Sequence, residues 1–343
     1  MQFTCYSDWN QLPPSSHRLF DAHAKHSLFF SRAWFECLRQ LPSDDGQSLL
    51  LACVEADKQL LAILPLMHSE DGHLVSLKHF YTSLYSLLLV EQNQQQVLNC
   101  LARGLHELGT ISLRLDPVAE DDGNLRGLQQ ALEAIGYQSH RHFRFYNWIY
   151  RVNGQSFDDY MATRPSRVRN TIARKRRKLQ REHEVEIRIY SDQQLAQGLA
   201  DYHAVYRASW KAHEQFESFI EELAQTLAKS GWLRLGVLYI DSKPAAAQFW
   251  FVVDRKASIF KLVYDQAWKQ YSPGSILISE LMRQVIDIDQ VEEIDFLTGN
   301  DAYKQDWMSQ RRQRWMLSLF KPREPRSALE HYTAPLKALF AKK

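Results

Sequence analysis

The sequence has few cysteines and no long apolar segment. Its four cysteines lie in the first third of the 343 residues and form no C-x-x-C pair: Cys5, Cys37, Cys53 and Cys100. This spacing argues against a zinc ribbon and a disulfide framework, so we expect reduced thiols. The longest apolar runs fall far short of the ~20 residues that a membrane-spanning helix needs, and we predict no transmembrane segment. The N-terminus also lacks the basic start and apolar stretch of a secretory signal, which predicts a cytoplasmic protein.

The motifs of several common enzyme classes are also missing. The chain contains no G-x-x-x-x-G-K-[ST], no G-x-S-x-G and no H-E-x-x-H. It therefore gives no support to a P-loop nucleotidase, a hydrolase of the nucleophile-elbow type or a zincin. The histidine pairs His23/His26 and His140/His142 have no cysteine or carboxylate pattern beside them that completes a metal site. We predict no bound metal.

What is present is the composition of an ordinary globular protein. Hydrophobic residues make up 45% of the chain and charged residues 24%, with 42 basic against 40 acidic side chains. A chain of 343 residues is long enough for about two domains, each with its own core. We predict one domain over residues 1–150, a second over residues 151–322 and a C-terminal tail over residues 323–343.

Positive charge is concentrated in one segment. Nine basic residues and no acidic one lie between Arg164 and Arg181, which leaves 33 basic residues (42 less nine) against 40 acidic ones elsewhere. Val168, Ile172 and Leu179 recur there at helical spacing, and Ser166 is placed to cap the helix. The pattern predicts an amphipathic helix whose basic face either binds an anion or is simply solvated. It contains no aromatic residue, which disfavours a single-strand nucleic-acid platform.

The two halves of the chain show the same order of predicted elements. In the second half a strand at Val185–Tyr190 precedes two helices, three short strands up to Tyr264, a helix from Ser275, a strand at Glu293–Leu297, a short helix and a final strand at Arg314–Phe320. The first half repeats this βααβββαβαβ order with weaker patterns. The repeat predicts duplicated α/β domains of the α+β kind, each with a mixed sheet.

The halves differ at the turn before the central helix. The second half has Ser272-Pro273-Gly274 at this turn, whereas the first half has Asn93-Gln94 and no glycine. A glycine there allows backbone N–H groups to approach a phosphate at the helix N-terminus. An ordinary turn is the alternative. We therefore expect a phosphorylated cofactor, if there is one, to bind in the second half.

The element order and several short motifs resemble one acyltransferase superfamily. A βααβββαβαβ order with a glycine turn before the central helix resembles the GNAT fold. Within it, the chain looks like the CelD/FemAB-like branch at Ser166–Asn170, Ser209–Lys211, Lys261–Asp265, Ser272–Gly274, Asp295–Gly299 and Tyr303–Lys304. Upstream, Phe29–Trp34 and Ile63–Leu66 resemble the degenerate first half of the same tandem architecture. The resemblance implies tandem GNAT-like domains with the cofactor site in the second.

The resemblance also implies roles for individual residues. Acyl-CoA would rest its pyrophosphate on the amides of Gly274, Ser275 and Ile276, with the Ser272 hydroxyl nearby. Tyr303 would protonate the leaving thiolate, while a core aromatic is the alternative. Lys304 would bind an anion or stabilise the oxyanion, unless it is a solvated lysine. Burial of Asp295 in an apolar strand would raise its pKa towards that of a general base, unless this carboxylate satisfies a backbone turn.

A further set of residues would form the wall that binds the acceptor amine. A core tryptophan and a surface ion pair are the competing interpretations for parts of this set. Its members are Arg169, Trp210, Lys211, Lys261, Tyr264 and Asp265.

Together these features predict a cytoplasmic N-acyltransferase. It would transfer an acyl group from acyl-CoA to an amine of a small molecule or of a cell-envelope or polysaccharide precursor. One alternative is a FemAB-like transferase that uses aminoacyl-tRNA, whose backbone the basic helix would contact. Another is a non-catalytic binding protein that has kept the fold.

Overall fold

Strands and helices alternate along the whole described part of the chain. The computed structural model describes residues 1–38, 47–68, 71–211 and 213–322. Its strands are β1 (Gln2–Tyr6), β2 (Ser48–Ala56), β3 (Gln59–His68), β4 (His73–Ser76), β5 (Leu88–Leu89), β6 (Ser112–Ala119), β7 (Gln138–Arg151), β8 (Val185–Tyr190), β9 (Leu233–Ile240), β10 (Lys243–Val253), β11 (Lys256–Tyr264), β12 (Glu293–Thr298) and β13 (Gln310–Phe320). Its α-helices are α1 (Ser16–Ala24), α2 (Arg32–Leu38), α3 (Gln94–Glu107), α4 (Gly123–Glu133), α5 (Phe157–Ala162), α6 (Ser166–Glu182), α7 (Leu195–Arg207), α8 (Glu217–Lys229), α9 (Pro273–Arg283) and α10 (Lys304–Trp307).

Most predicted elements of the second half are confirmed within a few residues. The strand at Val185–Tyr190 has the predicted bounds, and Gly231, at φ +70°, follows the end of α8 as a left-handed residue. The predicted cap of the basic helix is wrong. Helix α6 begins at Ser166 itself, directly after Pro165, and no side chain caps it. The central helix is shorter than predicted because a π-helical turn over Gln284–Ile288 follows α9.

The chain divides into two compact units. The described part of the first unit comprises residues 1–23, 47–68, 71–144 and 314–322. Strands β1, β2, β3 and β4 pair antiparallel in that order, β4 pairs parallel with β6, and β6 pairs antiparallel with residues 314–320 of β13. Helices α3 and α4 cover the sheet through fully buried side chains such as Leu101, Leu105 and Leu128.

The second unit repeats this topology. Its described part comprises residues 24–38, 145–211 and 213–313. Strands β8, β9, β10 and β11 pair antiparallel in that order, β11 pairs parallel with β12, and β12 pairs antiparallel with residues 147–151 of β7. Helices α6 and α9 pack over the sheet around buried Trp250, Leu277 and Leu281. The mixed α/β fold with duplicated sheets is therefore confirmed.

The units are interleaved along the sequence. Strands β7 and β13 each run from one unit into the other. Residues 147–151 of β7 provide the sixth strand of the second unit, and residues 314–320 of β13 provide the sixth strand of the first unit. Residues 24–38 also pack within the second unit, where the Phe29 ring lies 6.3 Å from that of Phe251 and the Trp34 ring lies 5.8 Å from that of Phe219. The predicted ranges 1–150 and 151–322 differ from the units at these segments. The predicted tail, residues 323–343, lies outside the described residues.

The two parallel strands of the second unit separate soon after they meet. They pair at Lys256↔Glu293, Ala257↔Ile294 and Ser258↔Asp295, and no further β11–β12 pair is seen among the described residues. Beyond Ser258, β11 stays with β10 as far as Tyr264, whereas β12 continues along β7 after an irregularity between Asp295 and Thr298. The divergence opens a wedge in the sheet.

Three chemical features of the fold bear on the predictions. None of the helices in the described ranges has the length and apolar character needed to cross a membrane. Within those ranges, no group of three or more His, Cys, Asp or Glu side chains is arranged to hold a metal ion. All four cysteines are free thiols.

Packing of α3 against β1 gives a stability prediction. A Cβ atom on Gly104 would lie 2.0 Å from Phe3 Cγ and 2.5 Å from Phe3 Cβ, so the Phe3 ring cannot simply swing away. We expect Gly104→Ala to lower the urea midpoint, because overpacking costs about 1–3 kcal/mol. Alanine gains only about 1 kcal/mol over glycine in a helix. The matched control is Gly123→Ala, where a Cβ meets nothing within 4 Å. Equal midpoints for the two variants would contradict this account.

Candidate active site

A cavity of about 410 Å³ lies in the second unit beside the wedge. Strand β11, the first turns of α6 and α9, the loop after α7 and the segment after β12 surround it. Its lining consists of Arg167, Val168, Thr171, Ile172, Trp210, Leu262, Tyr264, Gly274, Ser275, Ile278, Tyr303, Asp306 and Trp307. The volume and the apolar walls with a few polar groups are typical of small-molecule sites.

Five of the predicted site residues line this cavity. Trp210, Tyr264, Gly274, Ser275 and Tyr303 come together from four segments of the chain. The rings of Trp210 and Tyr264 pack at 4.6 Å between centroids and form one wall. Trp210 stays 47% exposed, so it is not a core tryptophan.

Gly274 allows α9 to approach β11 closely. A Cβ atom at this position would lie 3.2 Å from Tyr264 Cδ1, and the Gly274 carbonyl accepts a hydrogen bond of 2.9 Å from Gln248 Nε2. The amides of Ser275 and Ile276 both donate to the Ser272 carbonyl, at 3.1 and 3.2 Å. Two of the three amides predicted to bind phosphate therefore already donate hydrogen bonds in the first turn of α9. The Gly274 amide is left as the candidate phosphate donor of the three.

Tyr303 stands at the end of the wedge, just before α10. Its ring meets that of Phe296 edge to face at 5.7 Å between centroids. Burial, with a smaller effect of Asp301, raises the pKa of Tyr303 above its ordinary value. The phenol is therefore protonated at neutral pH, which is the state that a general acid requires.

Lys304 lies behind the cavity rather than in its wall. Its Nζ donates to the carbonyls of Phe296, at 3.2 Å, and Thr298, at 2.5 Å, and lies 3.6 Å from Asp301 Oδ2. Burial lowers the pKa of Lys304. These bonds tie α10 to the end of β12, so the side chain is neither a solvated lysine nor part of the cavity wall.

Asp295 is buried in an ion-pair network. Its Oδ1 accepts from Asn147 Nδ2 at 2.5 Å and from the Leu297 amide at 2.6 Å, and its Oδ2 lies 2.6 Å from Arg312 Nη2. Arg312 also contacts Glu293 at 3.1 Å. The sequence-based prediction considered burial alone and missed this cation. Asp295 does not line the cavity, and both its oxygens bond within the chain.

The remaining predicted acceptor residues divide into three situations. Lys261 Nζ lies 2.5 Å from Glu214 Oε2, and burial lowers the pKa of Lys211 to about 8, with a smaller contribution from Lys261. Asp265 Oδ1 accepts from the Ala267 amide at 2.9 Å and caps a short turn. Arg169 is exposed on α6 and lies outside the cavity lining.

The first turns of α6 contribute cavity residues that were predicted to lie in the basic helix but had no individual role in the site. Arg167, Thr171 and Ile172 line one side, and Arg167 pairs with Asp306 from the segment after β12. Val168 and Ile172 recur at helical spacing, and this pattern predicted an amphipathic helix but not its contact with a cavity. Trp307, Leu262 and Ile278 also line the cavity without having been predicted.

Most of the basic residues between Arg164 and Arg181 form hydrogen bonds or ion pairs within the chain. Arg164 donates to the Trp307 carbonyl at 2.9 Å, Arg176 pairs with Glu280, and Lys175 donates to the Gln270 carbonyl. Lys178 and Arg181 both pair with Glu182. The residues that stay exposed without a carboxylate within 4 Å in the described part of the chain are Arg169, Arg174 and Arg177.

Comparison with known proteins supports the fold. Residues 166–305 match the model of a family described as "Acetyltransferase (GNAT) domain". The structure of FemX superposes with a TM-score of 0.64 at 12% identity, covering 95% of this chain and 99% of FemX. The C-terminal domain of a protein described as a lysylphosphatidylglycerol synthetase from Agrobacterium fabrum gives 0.57 at 10% identity, over 93% of this chain and 95% of that domain. L-PGS from Bacillus licheniformis gives 0.51 at 11% identity, over 84% and 88%. No curated protein sequence matches the chain significantly.

The Asp295 network leads to a second stability prediction. Removing one partner of a buried ion pair costs about 3–5 kcal/mol. Arg312 is partly exposed and keeps Glu293, so we expect Asp295→Ala to lower the free energy of unfolding by about 2 kcal/mol in urea melts. Asp295→Asn keeps hydrogen-bonding capacity and should lose less. The control is Glu186→Ala, which breaks the exposed Arg188 pair and should change little. Equal losses for Asp295→Ala and Glu186→Ala would show that the network does not stabilise the fold.

Proposed function

We propose that the protein is an N-acyltransferase, because residues 166–305 match a family described as "Acetyltransferase (GNAT) domain" and the chain shares its fold with FemX. In this proposal it transfers an acyl group from acyl-CoA to an amine of a small molecule or of a cell-envelope or polysaccharide precursor. The observation that carries the proposal is the cavity beside the β11–β12 wedge, which brings Gly274 and Tyr303 together. The free thiols fit a cytoplasmic location, where CoA substrates are found.

The cavity suits the extended arm of an acyl-CoA substrate. Val168, Ile172, Leu262 and Ile278 supply apolar walls along its length. The N-terminal turn of α9 supplies a helix dipole, which favours phosphate groups, whereas Arg167 lines the same cavity and pairs with Asp306 there. Strand β12 does not cover the edge of β11 beyond Ser258. An extended arm could therefore lie along this edge as an added strand.

Acyl transfer needs a nucleophilic amine and a proton for the leaving group. The amine nitrogen bonds to the acyl carbon and releases a proton to solvent water, the carbon–sulfur bond breaks, and the thiolate takes up a proton. We assign the proton donor to Tyr303, because its side chain lines the cavity in which the thiolate would form. We assign positioning roles to Asp295 and Lys304, because their bonds fix the end of β12 that carries Tyr303.

A second candidate function uses aminoacyl-tRNA as the donor. The observation that favours it is the exposed face of α6, where Arg169, Arg174 and Arg177 have no carboxylate partner in the described residues. Such side chains can contact a nucleic-acid backbone, with an affinity that falls steeply with salt.

Filling the cavity tests the acyl-CoA donor. We expect acetyl-CoA to raise the melting temperature of the wild type, since a ligand at 100 times its Kd adds about 2.7 kcal/mol. Ser275→Trp places an indole in the cavity and should abolish this stabilisation. Ala173→Trp, on the exposed face of α6, is the matched control and should retain it. A wild type that acetyl-CoA and longer acyl-CoAs fail to stabilise would contradict the proposed donor.

The phenol of Tyr303 gives the kinetic part of this test. Tyr303→Phe should keep acetyl-CoA binding and lower kcat by about 10²–10⁴, the usual contribution of a general acid. Unchanged turnover would remove Tyr303 from the reaction. Acetyl-CoA binding without turnover of any amine in the wild type would instead favour the non-catalytic binding protein.

Charge reversal on α6 tests the tRNA donor. Arg174→Glu with Arg177→Glu should weaken tRNA binding and reduce its salt slope by roughly one per lost phosphate contact, if this donor is used. Arg176 is kept because Glu280 pairs with it. The control is Arg207→Glu with Lys229→Glu, which makes the same charge change on exposed residues of α7 and α8. Equal tRNA affinity for the two double variants would exclude this face of α6 as the tRNA site.

A further inference from the structure

A second polar group lies on the opposite face of β11 from the cavity. Leu262 and Tyr264 line the cavity. Because successive side chains of a strand point to opposite faces, Lys261, which precedes Leu262, points to the other face of β11. There its Nζ lies 2.5 Å from Glu214 Oε2 and 5.7 Å from the centroid of the Tyr206 ring. The Glu214 side chain is only 3% exposed, so this ion pair is buried beside α7.

Lys211 adds a further cation to this group. Its Nζ lies 5.9 Å from the centroid of the Trp210 ring, and the side chain is half-buried. The charges that act on it are Lys261, Glu214, Asp301 and Lys304. It therefore belongs to a set of three lysines and two carboxylates that spans the wedge from β11 to the segment after β12.

Both carboxylates of this set are already paired with another lysine. Glu214 pairs with Lys261 at 2.5 Å, and Asp301 lies 3.6 Å from Lys304. Lys211 has no carboxylate within 4 Å in the part of the chain that the structure describes. Withdrawing an ammonium from water without a counter-ion is unfavourable, and burial accordingly lowers the pKa of Lys211 to about 8. An anion from a ligand would complete the charge balance.

We propose that Lys211 binds an anionic group, a carboxylate or a phosphate, of the acceptor substrate. The inference rests on the proposed acyl transfer. Lys211 Nζ lies 5.9 Å from the centroid of the Trp210 ring, and Trp210 lines the cavity. The charges of Asp301 and Lys304 also act on Lys211, and these residues lie two positions before and one position after Tyr303 in the sequence. An acceptor held there by its acidic group extends through the wedge towards Tyr303, while the donor occupies the other face of β11. The acceptor is therefore an amine that also carries an acid.

Anion binding to the full chain tests this site without the acyl-transfer reaction. Melting temperatures are measured against N-acetylglycine and against methyl phosphate, with sodium chloride at the same ionic strength as reference. We expect one or both probes to stabilise the wild type, and the better probe identifies the class of acid. Lys211→Met should raise the apparent Kd of the better probe at least tenfold. Lys229→Met, which removes an exposed lysine of α8, should leave it unchanged.

Several outcomes would overturn the proposal. One is that the anion probes raise the melting temperatures of Lys211→Met and the wild type equally. Another is that the probes raise the melting temperature of the wild type no more than sodium chloride does. Lys211→Gln serves as a second variant, and both neutral variants should melt no lower than wild type because they remove an unpaired charge. Anion binding should persist with saturating CoA; displacement by CoA would assign Lys211 to the donor. A protein that binds the probes through Lys211 but no CoA would overturn the proposed donor and leave this anion site in place.

Discussion

The Asp295 carboxylate is the interaction on which the geometry of the second unit depends. Asp295 is the last residue of β12 to pair with β11, and its side chain contacts Asn147 of β7, Arg312 of β13 and the amide of Leu297 further along β12. Leu297 itself has φ +51°, a conformation that non-glycine residues rarely adopt. The carboxylate accepts the amide of this strained residue and so stabilises the turn of β12 away from β11. The wedge, the cavity beside it and the position of Tyr303 all follow from that turn.

The first unit also has a pair of parallel strands that separate near a buried aspartate. Its parallel strands β4 and β6 also pair at three positions, ending at Val75↔Arg114. Two residues later stands Asp116, another buried carboxylate, paired with Lys78 at 2.7 Å and Arg144 at 3.0 Å. The two units differ at the start of the helix that corresponds to α9. In the first unit this helix is α3, which follows Asn93 and has no Pro-Gly turn before it. The close approach that Gly274 allows between α9 and Tyr264 is therefore a property of the second unit.

The sequence predicted the parts of this structure that depend on local patterns. Alternation at Val185–Tyr190 and the turn at Ser272–Gly274 are visible in neighbouring residues, and so were correctly placed. Partners distant in sequence could not be read in the same way. No pattern in neighbouring residues indicates that β7 and β13 each contribute to both units, or that Arg312 pairs with Asp295. The basic face of α6 was visible as charge, but its internal partners, such as Glu280, lie about 100 residues away.

Those internal partners bear on the choice of donor. Arg167 pairs with Asp306 and Arg176 with Glu280, so α6 is fixed to α9 and to the segment after β12, the elements that frame the cavity. Much of the positive charge thus holds the walls of the site in place. In the described part of the chain, three exposed arginines of α6 have no carboxylate within 4 Å, and each phosphate contact contributes a salt dependence of roughly 0.7–0.9. Three contacts give a slope of about 2 to 3, small for a ligand the size of tRNA. The exposed charge of α6 therefore gives little support to the tRNA donor.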